Sequence, residues 1–258
     1  MKQWNGLWKK EWLVLKGWFY GSIITLLIAF LFLSFASYFL FEELSMIEIL
    51  PMFSGLWVMF SVILPTTVLL VSLNKEMNRP DIWLHSTAPT VKLFGVKMLF
   101  ASVVGLVNIS LPIIILLIGS RFSEVPTTIP FESVLQVGTT VGVMFFLLSI
   151  VIMCTGLFLG VLYQLLKPIV KIFSVPIVFI IFLLFSWLQA RLAESAIYTK
   201  ITHFGQINQE GTFDIEKGNF FIEFATMDVY TGELLVDFAL AFLFFLAAIV
   251  LFEKKVRI

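Results

Sequence analysis

A chain of 258 residues that is 60% hydrophobic and 13% charged has half the charge a soluble domain needs to wet its surface. Its mean hydropathy of +1.02 and several apolar runs near 20 residues point to lipid as the solvent, and its formal net charge of zero gives no reason to expect a nucleic-acid partner. A single cysteine, Cys154, excludes an internal disulfide and any cysteine metal cluster, and reads as a small hydrophobe between helices.

The expected fold is an all-α polytopic membrane protein with six spans, both termini cytoplasmic and an interfacial helix at the N-terminus. Residues 1–17 form that helix: Trp4, Leu7, Trp8, Trp12 and Leu15 recur at three- and four-residue spacing, with Lys9, Lys10 and Lys16 on the other side. Such a helix lies in the inner headgroup region; the alternative is an ordinary aromatic belt before a span. Residues 18–258 then form the six-helix domain, with apolar runs near 18–41, 47–73, 98–118, 133–162, 172–190 and 233–252. At about 1.5 Å per residue each can cross a hydrocarbon core of roughly 30 Å. The first run is too long for a signal-peptide core and reads as a retained helix. Glu42-Glu43, after it, lacks the histidines a metalloprotease needs and reads as solvated loop.

Pro65, Pro112 and Pro176 sit inside spans two, three and five, either as kinks or as the ordinary proline background of membrane helices. Span four holds Gly138 and Gly142, then Gly156 and Gly160, each pair a small-xxx-small spacing that lets helix backbones approach. Packing within the chain is the first expectation for them, a subunit interface the second. Residues 191–232 form a long acidic loop, in which FDIEKGNFFIEF alternates around Lys217-Gly218-Asn219 as a hairpin does. Thr231 is placed to cap the last span. The acidity either draws cationic or amphipathic cargo outward or reflects only the exclusion of basic residues from outer loops.

Charge placement orients the spans. With the N-terminus inside, the inner segments hold Lys2, Lys9, Lys10, Lys16, Lys75, Arg79, Lys92, Lys97, Lys167, Lys171, Lys254, Lys255 and Arg257. The outer ones hold Arg121, Arg191, Lys200 and Lys217, a ratio of 13 to 4. Ionisable groups are nearly absent from the deep parts of the spans; Asp237 comes nearest, one turn in from the outer end, whereas ion-gradient transporters usually carry such groups. His85 and His203 fall in loops on opposite sides. No H-E-x-x-H, G-x-S-x-G or G-x-x-x-x-G-K-[ST] occurs, so the expectation is a membrane domain that is no enzyme and holds no cofactor.

The most distinctive segment is LNKEMNRPDIWLHSTAPTVKLFGVKML. Asn78-Arg79-Pro80-Asp81 starts a short helix, with Pro80 in its first turn and Asp81 at the positive end of its dipole. Ile82, Trp83 and Leu84 follow, and the helix stops before Pro89. Tied to two spans, such a helix is either a docking surface for a soluble partner or a lipid-surface helix. Residues 74–97 resemble the first intracellular loop of the ABC-2-type permease family, with Glu76, Trp83-Leu84, Pro89-Thr90 and Lys97 in the family's order.

The resemblance implies the membrane subunit of an ABC exporter. Residues 74–97 would be its cytoplasmic coupling loop and 191–232 its extracellular loop. Glu76, Arg79, Asp81, Trp83 and His85 become candidates for the ATPase contact. The ATP-binding cassette ATPase would be a separate polypeptide, the only holder of ATP, and a second permease copy or a paralogue would complete a homo- or heterodimer in the plasma membrane. Phe-rich spans would suit apolar or amphipathic cargo such as a peptide, an antibiotic or a lipid-like molecule. Two alternatives stay open: a transporter or channel working without ATP, and a membrane anchor or sensor that docks a cytosolic protein through the same loop.

Overall fold

A computed structural model describes residues 2–40, 46–77, 89–122, 131–207, 213–217, 220–224 and 229–255. Helices dominate it. Helix α1 (Lys2–Leu40) runs unbroken for 39 residues, about 58 Å at the α-helical rise, so no break separates the expected interfacial helix 1–17 from the first span. Helices α2 (Met46–Ser61) and α3 (Leu64–Met77) share one apolar stretch, interrupted at Val62 and Ile63. Pro65 has no N–H to return to Ser61, so the chain tightens there: Val62 N–H reaches Met59 O (3.4 Å) and Ile63 N–H reaches Phe60 O (3.3 Å). The other two prolines behave differently. Pro112 lies inside an unbroken α4 (Thr90–Phe122), and Pro176 falls in the first turn of α6 (Ser174–Ala193), where a missing N–H costs little.

Helix α5 (Phe131–Val170) ends two residues after Pro168 in a single 3-10 turn, Lys171–Phe173, where Lys171 takes a φ of 47°. Ser174 Oγ donates to Lys171 O (2.7 Å) and closes that corner before α6 begins. Short α7 (Ala196–Thr202) is capped by Ser195, whose side chain accepts from Tyr198 N–H. The expected hairpin is present: β2 (Phe213–Lys217) pairs antiparallel with β3 (Phe220–Phe224), Lys217 opposite Phe220. A second small ladder joins β1 (Gln206–Ile207) to β4 (Val229–Tyr230), which leads into α8 (Thr231–Lys255).

Five helical segments among the described residues are long and apolar enough to cross a membrane: Trp4–Phe32, Phe53–Met77, Thr90–Ile118, Gly138–Ala193 and Thr231–Lys254. The chain is thus an almost wholly helical, membrane-embedded protein. The fourth segment takes in both the fourth and the fifth expected spans.

The chain divides into two compact units, Met1–Val161 with Phe244–Ile258, and Leu162–Leu243. In the first, α4 packs against α1, α2 and α3. Leu15 and Leu26 of α1, Val68, Leu69 and Leu73 of α3, Phe94, Phe100 and Val104 of α4, and Met153 and Leu157 of α5 are buried there. Glycines set the closest approaches. A Cβ on Gly156 would run into Thr66 Cγ2 and one on Gly160 would come within 2.5 Å of Leu70, both on α3. Gly142 and Gly138 stand likewise against Ile113 of α4, and Gly105 of α4 lies under the ring of Pro65. In the second unit Ser174 is the only buried residue of α6; Ile177, Val178 and Ile181 are half-buried and its other large apolar side chains, from Val175 to Leu192, are exposed.

Candidate functional site

Helices α1, α3 and α4 each carry an apolar stripe with a charge set in it. On α1 the stripe is Trp8, Glu11, Trp12 and Leu15; on α3 it is Leu69, Ser72, Leu73 and Glu76; on α4 it is Leu93, Lys97, Phe100 and Val104. The three- and four-residue spacing puts each charge on the face that packs. Lys97 is 2% exposed, Glu11 4% and Glu76 7%, a depth at which an unpaired charge would be very costly.

They are paired. Lys97 Nζ lies 2.6 Å from Glu11 Oε1, 2.5 Å from Ser72 Oγ and 3.1 Å from Glu76 Oε1, so its three N–H groups have three oxygens to meet. Ser72 Oγ in turn donates to Glu11 Oε2 at 2.7 Å. Lys10 Nζ reaches Glu76 Oε1 at 2.6 Å, leaving Glu76 Oε2 without a partner among the described residues. Two cations and two anions thus cancel in one knot, with Glu11, Glu76 and Lys97 buried and Lys10 at its half-exposed edge. Lys75 adds a hydrogen bond from Nζ to Val14 O (3.4 Å), and Trp8 and Trp12 set their edges toward the Phe100 ring at 5.7 and 6.1 Å. These two indoles, expected among lipid headgroups, lie against α4.

Glu76 and Lys97 flank the distinctive segment, one on the last turn of α3 and the other two turns into α4, so their pairing closes that segment at its base. Glu76, expected at a docking surface, is buried inside the knot. Arg79, Asp81, Trp83 and His85 lie outside the described residues, as does Glu42-Glu43. Gly138, Gly142, Gly156 and Gly160 sit apart from the knot, at the helix approaches already given.

A second polar contact ties α1 to α4 and α4 to α2. Asn108, fully buried, donates from Nδ2 to Ser22 Oγ (2.9 Å) and Val104 O (2.9 Å), while Ser61 Oγ donates to Trp57 O (2.8 Å) and Asn108 O (3.3 Å). In an apolar surround such bonds hold helices in register. Neither this contact nor the ionic knot presents an activated nucleophile, and among the described residues no three His, Cys, Asp or Glu side chains gather to hold a metal ion.

The second unit has a fastening of its own between α7 and α8. The His203 ring stacks on Tyr230 at 4.2 Å and its Nε2 lies 3.4 Å from Glu233 Oε1. Thr231 Oγ1 donates to Phe204 O (2.9 Å) and its N–H to Gly205 O (3.2 Å), so this expected cap binds the preceding turn. That turn needs Gly205, at φ +66°, and a Cβ on Gly232 would strike Thr202 O. Burial first, then the carboxylates of Asp237 and Glu233, hold the Tyr198 phenol above its ordinary pKa.

The sequence places Lys10 on the polar side of the first helix and Lys97 among the residues of the family resemblance, and pairs neither with Glu11, Ser72 or Glu76. The signal for the knot was there: Glu11 falls with the tryptophans of α1 and not with its lysines, and Lys97 stands where an a- or d-type apolar residue belongs. Comparison with protein-family models, with curated proteins and with solved structures returned no match.

Proposed function

We propose that the chain is the membrane-spanning permease subunit of an ATP-driven ABC exporter, working with a separate ATP-binding cassette ATPase and a second permease chain. The observation that carries this reading is the Glu76–Lys97 pair, 3.1 Å apart at the base of the segment that resembles a coupling loop. A loop that is to receive a push from an ATPase must be held stiffly by the helices it moves. Here both of its flanks are locked together, and α1 is locked to them. Arg79, Asp81, Trp83 and His85, which lie outside the described residues, are then the candidates for the ATPase contact, while Glu76 fixes the root of the loop.

Six spans with both termini in the cytoplasm fit this role. The segment Gly138–Ala193 has 56 residues, about 84 Å as one helix, against a hydrocarbon core of roughly 30 Å. Its break at Lys171–Phe173, with Lys167 and Lys171 beside it, supports two crossings joined on the inner, basic side. The plasma membrane is the site of action, and apolar or amphipathic cargo is moved outward by alternating access.

A tagged chain, extracted in mild detergent, is expected to bring down an ATP-binding cassette protein, and the complex in liposomes to hydrolyse ATP faster when amphipathic cargo is supplied. Cargo movement by the purified chain alone, without ATP, would overturn the reading in favour of an ATP-independent transporter. A complex whose ATP hydrolysis ignores cargo would favour an anchor.

A further inference from the structure

The knot has a third arm that a loop clamp does not need. Glu76 and Lys97 already neutralise each other across the base of the segment, yet α1 adds a second neutral pair, Lys10 and Glu11. These two are sequence neighbours, and residues one apart on a helix do not face each other. They cannot satisfy one another if α1 moves away. Released from α3 and α4, both would need water, and Lys97 would lose its 2.6 Å partner while still buried. At Glu11 the engagement of α1 is therefore close to all-or-none: buried and paired, or withdrawn and hydrated.

From this geometry we infer that Glu11 is a positioning residue through which α1 moves as one body with the roots of segment 78–88. A displacement at the roots is passed to α1 as well as to α3 and α4. Because α1 is a single helix from Lys2 to Leu40, what is applied at Glu11 is carried along its whole length. Asn108, which grips Ser22 about three turns further along the same faces, keeps α1 and α4 in register as they shift. The inference rests on the reading that residues 78–88 dock an ATPase, and its test separates the two.

The decisive variant is Lys10→Met with Glu11→Gln. It removes both charges of α1, leaves the Glu76–Lys97 pair neutral and in place, and keeps a hydrogen-bonding group beside Lys97, so the chain folds and binds its ATPase. Basal ATP hydrolysis of the reconstituted complex is expected to stay at the parent level. Stimulation by cargo is expected to fall about ten-fold, within the range usual for coupling between two sites. A merely structural role would leave that stimulation intact once folding is restored, and stimulation equal to the parent's overturns the inference.

The second measurement needs no ATPase. Spin labels on Lys9→Cys of α1 and Lys92→Cys of α4, both exposed positions, are placed in a Cys154→Ala chain. One narrow distance is expected, broadening in the double variant; a broad distribution in the parent overturns the inference by itself. If the distance is narrow and no ATPase binds the parent chain, the permease reading fails and the coupling role falls with it, while the one-body packing of α1 stands.

Discussion

Lys97 is the residue on which the first unit turns, because its ammonium has exactly as many hydrogens as the oxygens of Glu11, Ser72 and Glu76 that surround it. Lys97→Met removes the cation and leaves Glu11 buried with Ser72 alone. Breaking a buried pair in this way is expected to destabilise the protein by about 3–5 kcal/mol, read as a lowered thermal midpoint in detergent. Lys97→Arg keeps the charge but presents its donors as a flat fork, a poor match to three oxygens on different helices, and is expected to fall between parent and Lys97→Met. Asn108→Ala is a useful contrast. Its interhelical hydrogen bond to Ser22 is neutral, and bonds of that kind in membrane proteins contribute roughly 0.6 kcal/mol, so the same assay is expected to show a much smaller loss. Each of these charges could be seen in the sequence to lie on an apolar stripe. What could not be seen was which charge meets which, since partners 86 and 21 residues apart are joined by helix packing and not by spacing.

At the scale of helices, local signals were legible and relational ones were not. The apolar runs and the hairpin at Lys217 followed from hydropathy and alternation, which a few neighbouring residues determine. Three prolines had to be left with their alternatives open. Their effects depend on position in the helix and on what stands opposite: Pro65 opens a two-residue gap and presses on Gly105, while Pro112 leaves α4 unbroken. Glycines divide in the same way. At Gly156 a new Cβ would meet Thr66, a β-branched side chain with little rotamer freedom, so Gly156→Ala is expected to cost about 1–3 kcal/mol by forcing α5 off α3. Gly17 has nothing within 4 Å of where a Cβ would stand. It sits inside α1, at the place where the sequence reading put the end of an interfacial helix. Gly17→Ala is expected to stabilise α1 by up to about 1 kcal/mol, and a loss instead would show that the chain needs a flexible point there. Thermal unfolding of both variants in one detergent checks the pair.

For the molecule as a whole, the composition that pointed to lipid agrees with what the helices expose. A helix such as α6, with apolar side chains exposed over most of its surface and only the Ser174, Ile177, Val178 and Ile181 stripe covered, has little reason to be stable in water and every reason to be stable among acyl chains. The sidedness proposed for the chain has a direct check. In a Cys154→Ala background, Lys200→Cys is expected to react with a membrane-impermeant maleimide on intact cells, and Lys254→Cys only after permeabilisation. Equal labelling of both on intact cells would remove the six-span reading and leave an odd number of crossings between them untenable.

The ionic knot also sets a timetable for making the protein. Glu11 is synthesised 86 residues before Lys97, so at ribosomal rates of about 5–20 residues per second it waits on the order of 4–17 s for its partner. Throughout that interval Glu11 must stay hydrated, whereas Lys10 can meet Glu76 as soon as α3 has formed. The arrival of α4 is then the event that buries Glu11 and Lys97 together. A nascent chain halted before Lys97 keeps on its first helix an acid whose cation has not yet been made.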